Sequence, residues 1–193
     1  MRSSVRDELA GRLRRSASYN TWGIEMDHAD MFQPLNDAIV GGSRELGELF
    51  ADRWALWYSL ALSDVTLLAG GSEVQLADTV VTLAEADDGS YSARITIFTE
   101  HLVITVAADV SGKKESHITS ARSRADLRAL EVAAETGALG DTWGEATWPG
   151  KVAVTLDYGD AERLTLPGGK RADREQFARV AALLPSLCAD LLQ

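Results

Sequence analysis

The spacing of apolar residues changes character along the chain. Val5, Leu9 and Leu13 recur every four residues after Ser3 and Ser4, which predicts a short helix with a narrow apolar stripe, suited to docking. Residues 19–42 hold turn and breaker residues, among them Trp22-Gly23, Gln33-Pro34-Leu35-Asn36 and Gly41-Gly42, and read as irregular. Ser43 then caps a clearer helix. Leu46, Leu49, Phe50, Trp54, Trp57, Tyr58, Leu60 and Ala61 follow helical spacing to an end near Leu62.

From Ser63 the period falls to two. Val65-Thr66-Leu67-Leu68 reads as a short strand stopped by Gly70-Gly71. Val74, Leu76, Val81 and Leu83 read as one bent strand or two short ones. Tyr91, Ala93, Ile95 and Ile97 alternate with polar residues, and Leu102, Ile104 and Val106 repeat the pattern after a tight turn at Thr99-Glu100. A polar loop spans 109–116, and the stretch from His117 to Ala134 fits two strands, or a strand and a helix. Val152, Val154, Leu156 and Tyr158 alternate again, Gly159-Asp160 reads as a two-residue hairpin turn, and Leu164 and Leu166 return. A last helix starts near Asp173. Its inner face takes Phe177, Val180, Ala181, Leu184, Leu187, Cys188 and Leu191, and Pro185 is predicted to kink it. The expected class is α+β: N-terminal helices, then a mostly antiparallel β-barrel or strongly curved sheet closed by a C-terminal helix. The expected boundary divides a helical N-terminal arm, residues 1–62, from a β-domain, residues 63–193.

Strands followed by one amphipathic helix over residues 73–192 form an order that resembles the pleckstrin-homology-like (PH-like) fold of bacterial PH-like and GRAM-like domains. The segments that carry the resemblance are Ile95 to Val106 as an early hairpin, and Trp148 to Tyr158 running into Glu162 to Pro167. The resemblance implies that the helix from Asp173 to Leu191 plugs one end of a barrel. The lipid-binding feature of such domains, clustered Lys and Arg in the first hairpin loop, does not carry over, because that loop here holds Asp87-Asp88-Gly89. The rival architecture is a helix-grip fold, a curved sheet wrapping a long C-terminal helix around a cavity, which the helix at 43–62 suits.

Charge narrows the partners. Nineteen Lys and Arg face 29 Asp and Glu, a net −10, which argues against nucleic acid. Residues 1–19 hold five Arg against Asp7 and Glu8, whereas residues 20–90 hold two Arg against thirteen acids. The basic tip and the acidic middle attract each other, within or between chains. The N-terminus lacks the apolar core of a secretory signal, and no apolar run approaches the ~20 residues of a membrane helix. No integral membrane segment and no peripheral lipid contact is expected. Fifteen Arg against four Lys suggest a GC-rich bacterial genome. The single cysteine, Cys188, permits no internal disulfide, fits a reducing cytoplasm and reads as a small buried apolar residue.

Candidate chemistry is sparse. Asp27, His28 and Asp30, with Glu25 nearby, are the densest ligand-like group, but they read as a solvated acidic segment, and no metal or cofactor is expected. No Gly-x-Ser-x-Gly elbow, Walker loop or dinucleotide fingerprint occurs, and no catalytic residue is assigned. Gly41-Gly42-Ser43 and Pro167-Gly168-Gly169-Lys170-Arg171 precede helices, where anions bind, but both read as plain turns. Trp54, Trp57 and Tyr58 share one helical face, either packed on the β-domain or presented to a partner. Arg122 and Arg124 share a face if their segment is a strand, and Arg124 and Arg128 if it is a helix; they read as a solvated charged face or, more sharply, as a surface for an acidic partner such as the 20–90 segment of another copy. The expected function is a non-enzymatic bacterial adaptor that binds a protein partner or itself through an N-terminal helical arm. The alternative is a helix-grip carrier or enzyme for a small apolar molecule, which needs a cavity of ~300 Å³ or more beneath the last helix.

Overall fold

The computed structural model describes residues 28–41, 43–50, 55–84, 89–135, 150–159, 163–169 and 172–192. Three helices come first: α1 (His28–Gly41), α2 (Arg44–Leu49) and α3 (Leu56–Ala69). Four strands follow, β1 (Leu76–Leu83), β2 (Tyr91–Phe98), β3 (Leu102–Ser111) and β4 (Lys114–Ser123). A 3-10 turn (Arg124–Asp126) leads to β5 (Ala129–Ala134), β6 (Val152–Asp157) and β7 (Leu164–Leu166), and α4 (Arg174–Asp190) closes the chain. The strands form two antiparallel meanders, β1-β2-β3-β4 and β5-β6-β7. The architecture is therefore α+β with a C-terminal helix. Among the described residues no helix is long and apolar enough to cross a membrane.

The segment expected to be irregular contains α1. Pro34 lies inside it, exposed, while Leu35 and Ile39, four residues apart, are buried in the core. That burial outweighs the local preference of Pro34 and Asn36, and Asn36 accepts a bond from the Tyr58 hydroxyl at 3.1 Å. Ser43 caps as expected, its Oγ accepting from the Leu46 amide at 3.2 Å. The helix it starts stops at Leu49, however, and α3 begins separately at Leu56.

α3 also runs past its expected end. Residues 65–68, read as a strand, are helical, because Val65 continues the buried stripe of Trp57, Tyr58 and Ala61. The hydroxyls of Ser63 and Thr66 bond carbonyls four residues back, at 3.1 and 2.8 Å. Gly70 ends the helix in the left-handed region, φ 58°, donating to the Thr66 carbonyl. The two glycines are thus a stop signal, as expected, but for a helix.

β1 is one strand, paired from Leu76↔Phe98 to Leu83↔Tyr91. The undecided stretch 117–134 resolves as strand, 3-10 turn and strand. A two-residue turn at Gly159-Asp160 would pair Leu156 with Arg163; Leu156 instead pairs with Leu164, and Val154 with Leu166. That register keeps Val154, Leu156 and Leu166 in one core. α4 opens with a reciprocal cap between Asp173 and Gln176, both bonds 2.9 Å. Leu183 and Leu187 point inward, and Cys188, one step of about 100° further round, is exposed rather than buried.

The four-stranded sheet has a core on each face. Ala93, Ile95, Ile97, Ile104 and Val106 pack under α1–α3. Leu76, Phe98 and Val103 point the other way, into a cluster with β6, Leu166 and α4. α3 runs across the boundary expected at 62–63, and its buried residues share a cluster with β2 and β3.

Candidate functional site

The corner between the two sheets brings predicted site residues together. Ser123 Oγ accepts from the Ala125 amide at 3.2 Å and so caps the 3-10 turn. The Arg124 amide donates to the His101 carbonyl (2.9 Å) and the Arg128 amide to the Asp157 carbonyl (2.8 Å). These bonds fix where three arginines point. Arg122, the penultimate residue of β4, holds its guanidinium carbon 5.2 Å above the Tyr158 ring centroid. Arg128 is exposed, and its guanidinium lies so close to Gly159 that a Cβ there would collide with it. Gly159 also takes φ 82°, a conformation few other residues adopt.

Arg124 turns inward and is 1% exposed. Nε and Nη2 donate to one Asp190 oxygen at 2.9 and 2.7 Å. Nη1 donates to Gln75 (2.6 Å) and the Thr99 carbonyl (2.8 Å), and Nη2 also to Ser186 Oγ. All five donors are used, so Arg124 ties α4 to the sheet. The expected three-arginine strip is corrected to a pair, because neither a continued strand nor a helix follows β4.

Arg122, Arg128 and Tyr158 line a groove of about 710 Å³, with Ser120, Ala121, Ala125, Asp126 and Leu127. A pocket of about 50 Å³ adjoins it and adds Arg94 and Thr105. Tyr158 is 6% exposed, and its hydroxyl has no hydrogen-bond partner among the described residues. Its pKa is pushed up to about 12, first by burial; Arg124 and Arg122 pull it down, Asp190 and Asp126 push it up. Two guanidiniums on the wall of an open groove suit carboxylate or another oxyanion.

The aromatic face is elsewhere, and inside. Trp57 and Tyr58, offered by the sequence as partner-binding residues, are each 1% exposed, which corrects that reading. Trp57 Nε1 donates to the Tyr91 hydroxyl at 3.0 Å, and its backbone amide to Glu115 Oε2 at 3.0 Å. The Phe50 ring sits 4.9 Å from Tyr58 and 5.9 Å from Trp57, centroid to centroid. Burial, then the Asp37 charge, raises the Tyr58 pKa. Trp54 lies outside the described residues, as do Asp27 and the side chains of His28 and Asp30. Among the described residues no group of three or more His, Cys, Asp or Glu could hold a metal ion.

Two polar clusters escaped the sequence reading. Asp64 Oδ2 on α3 meets His117 Nε2 (2.9 Å) and the Thr119 hydroxyl (3.0 Å) on β4. His117 and Thr119 share a strand face two residues apart, a visible signal, but Asp64 lies 53 positions from His117 and nothing in the sequence pairs them. Asp78 is a buried carboxylate on β1 that accepts from the Gly168 amide at 2.9 Å. The Pro167-Gly168-Gly169 turn weighed as an anion site is thus met by an anion of the same chain. Burial raises the Asp78 pKa, opposed by the Gly168 bond and the charge of Arg94.

Comparison with family models, curated proteins and solved structures gave no match.

Proposed function

We propose that this chain is a non-enzymatic protein-interaction module of PH-like architecture that binds an acidic partner in the groove between β4, the 3-10 turn and Tyr158. Element order supports the architecture: a four-stranded meander, a three-stranded meander and a closing helix. The observation that carries the function is the pair Arg122 and Arg128 on one open groove, in a chain of net charge −10. Guanidiniums there offer planar, charge-assisted recognition of carboxylates, while the acidic remainder disfavours anionic membranes and nucleic acid. α1–α3 pack on the sheet, so the binding surface is assigned to the groove and not to a helical arm. The carrier reading needs a hollow beneath α4, and Val180, Leu183 and Leu187 meet Phe98, Leu156 and Leu166 there, all buried.

Native mass spectrometry of the full chain, isolated gently from its own host, tests this reading. The expected result is a bound polypeptide that is lost from the Arg122→Glu variant. A monomer carrying a small-molecule mass would overturn it.

A further inference from the structure

We infer that the free edge of β4 is a strand-addition site for an extended acidic segment, with Arg122 and Arg128 taking its carboxylates; this rests on the interaction reading above. β4 is ten residues long and pairs with β3 from Leu102↔Ser123 to Ser111↔Lys114 with no bulge. Among the described residues its other edge pairs with no strand. Long, regular edges invite a further strand unless proline, a bulge or a covering segment blunts them. Among the described residues no proline, bulge or covering segment blunts β4; its charged residues, Lys114, Glu115 and Arg122, sit towards its two ends, and Ile118 between them is 74% exposed. The opposite edge differs: along β1 the Gly168 amide donates to Asp78 and Gly169 lies beside the Thr79 carbonyl.

Position and charge select the occupant. Ser120, Ala121 and Arg122 of β4 form one wall of the groove, so an added strand would run into it. A residue opposite Arg122 on such a strand has its Cβ ~4.5–5.5 Å away, within reach of the guanidinium. Arg128 stands at the same groove. Asp126 is the one acidic residue of the lining, against the two arginines. Glu115, His117 and Thr119 face α3 instead, so recognition falls on alternate residues of the added strand.

The test uses fluorescein-labelled (Glu-Thr)4 and the full chain, read by fluorescence polarisation at low ionic strength. Two further copies carry N-methyl groups on alternate amides, one on each set. A strand pairing on one edge needs one set of amides and not the other, so one methylated peptide binds at least tenfold more weakly and the other matches the parent. Arg122→Glu and Arg128→Glu each weaken the parent peptide by about tenfold, with circular dichroism unchanged. Equal binding of both methylated peptides would overturn strand addition and leave the interaction reading standing. No binding of the parent peptide, or binding only to phosphatidylserine vesicles, would overturn the site; the methylated pair needs only unaltered protein, so misfolding of a variant cannot mask the result.

Discussion

Arg124 meets Asp190 because a 3-10 turn, rather than continued strand, follows Ser123. The neighbouring Arg122 and Arg128 stay at the groove. Nothing in the sequence around these arginines distinguishes them, since the partner of Arg124 lies 66 positions away. Pattern located the cluster, but only the backbone path sorted it into one buried tie and two groove residues. Asp190→Ala would leave the guanidinium buried without its counter-charge, and breaking a pair of this kind costs about 3–5 kcal/mol. Urea unfolding of the variant checks this, and a loss below about 1 kcal/mol would contradict the role given to Arg124. Asp78 allows a second test at this scale. Its folded pKa is raised, so the folded state holds the proton more tightly than the unfolded chain. Its contribution to stability is then fully present below the unfolded value of about 3.9 and is lost as pH rises through the raised folded value. Asp78→Asn removes the titration. The stability of the parent relative to the variant is expected to fall with rising pH across that window, and a pH-independent difference would sink the assignment.

At the scale of elements, α3 shows why periodicity misled. Leu56, Leu60, Leu67 and Leu68 are exposed while Trp57, Tyr58, Ala61 and Val65 are buried, so the helix is apolar on both sides. With only the narrow polar stripe of Ser59, Ser63 and Thr66 to mark the helix, the i, i+4 step from Ala61 to Val65 competes with the i, i+2 step from Val65 to Leu67. Glycine stops either element. Burial against the sheet settles the matter, which a single segment cannot show. The strands were more legible because β2, β3 and β6 alternate cleanly between apolar and polar residues. Pro34 hid α1 for the opposite reason: a local breaker masked the Leu35–Ile39 spacing. Trp57 ties α3 to its surroundings through the Phe50 ring, the Tyr91 bond and the bond from its amide to Glu115. Trp57→Ala should lower unfolding free energy by about 3–5 kcal/mol in chemical denaturation. A near-neutral result would mean that α3 is not seated on the sheet.

For the whole molecule, the question is whether the helices belong to the same cooperative unit as the strands. The alternation of β2 and β3 announced an apolar face but not what would cover it. The sheet turns Ala93, Ile95, Ile97, Ile104 and Val106 to α1–α3, and its mixed face, with Arg94, Thr96 and Thr105, to the second sheet. Among the described residues Leu76, Phe98 and Val103 are the buried apolar side chains this sheet contributes on that side. The β5-β6-β7 sheet and α4 therefore cover the mixed face at Leu76, Phe98 and Val103, and Arg122 and the groove lie at the corner between the sheets. Residues 63–193 alone would expose the helix-facing side. At about 1.5–3 kcal/mol for each fully buried side chain, Ile95, Ile97, Ile104 and Val106 together represent about 6–12 kcal/mol. That equals the whole net stability of an ordinary domain, about 5–15 kcal/mol. The fragment is expected to lose its cooperative thermal transition and to bind the dye ANS strongly, as loosely packed states do. A fragment that stays monomeric and unfolds in one sharp step, with no dye binding, would make the helices an appendage. The groove would then be the property of an independent β-domain, and the cost of Trp57→Ala should disappear from the stability of that domain.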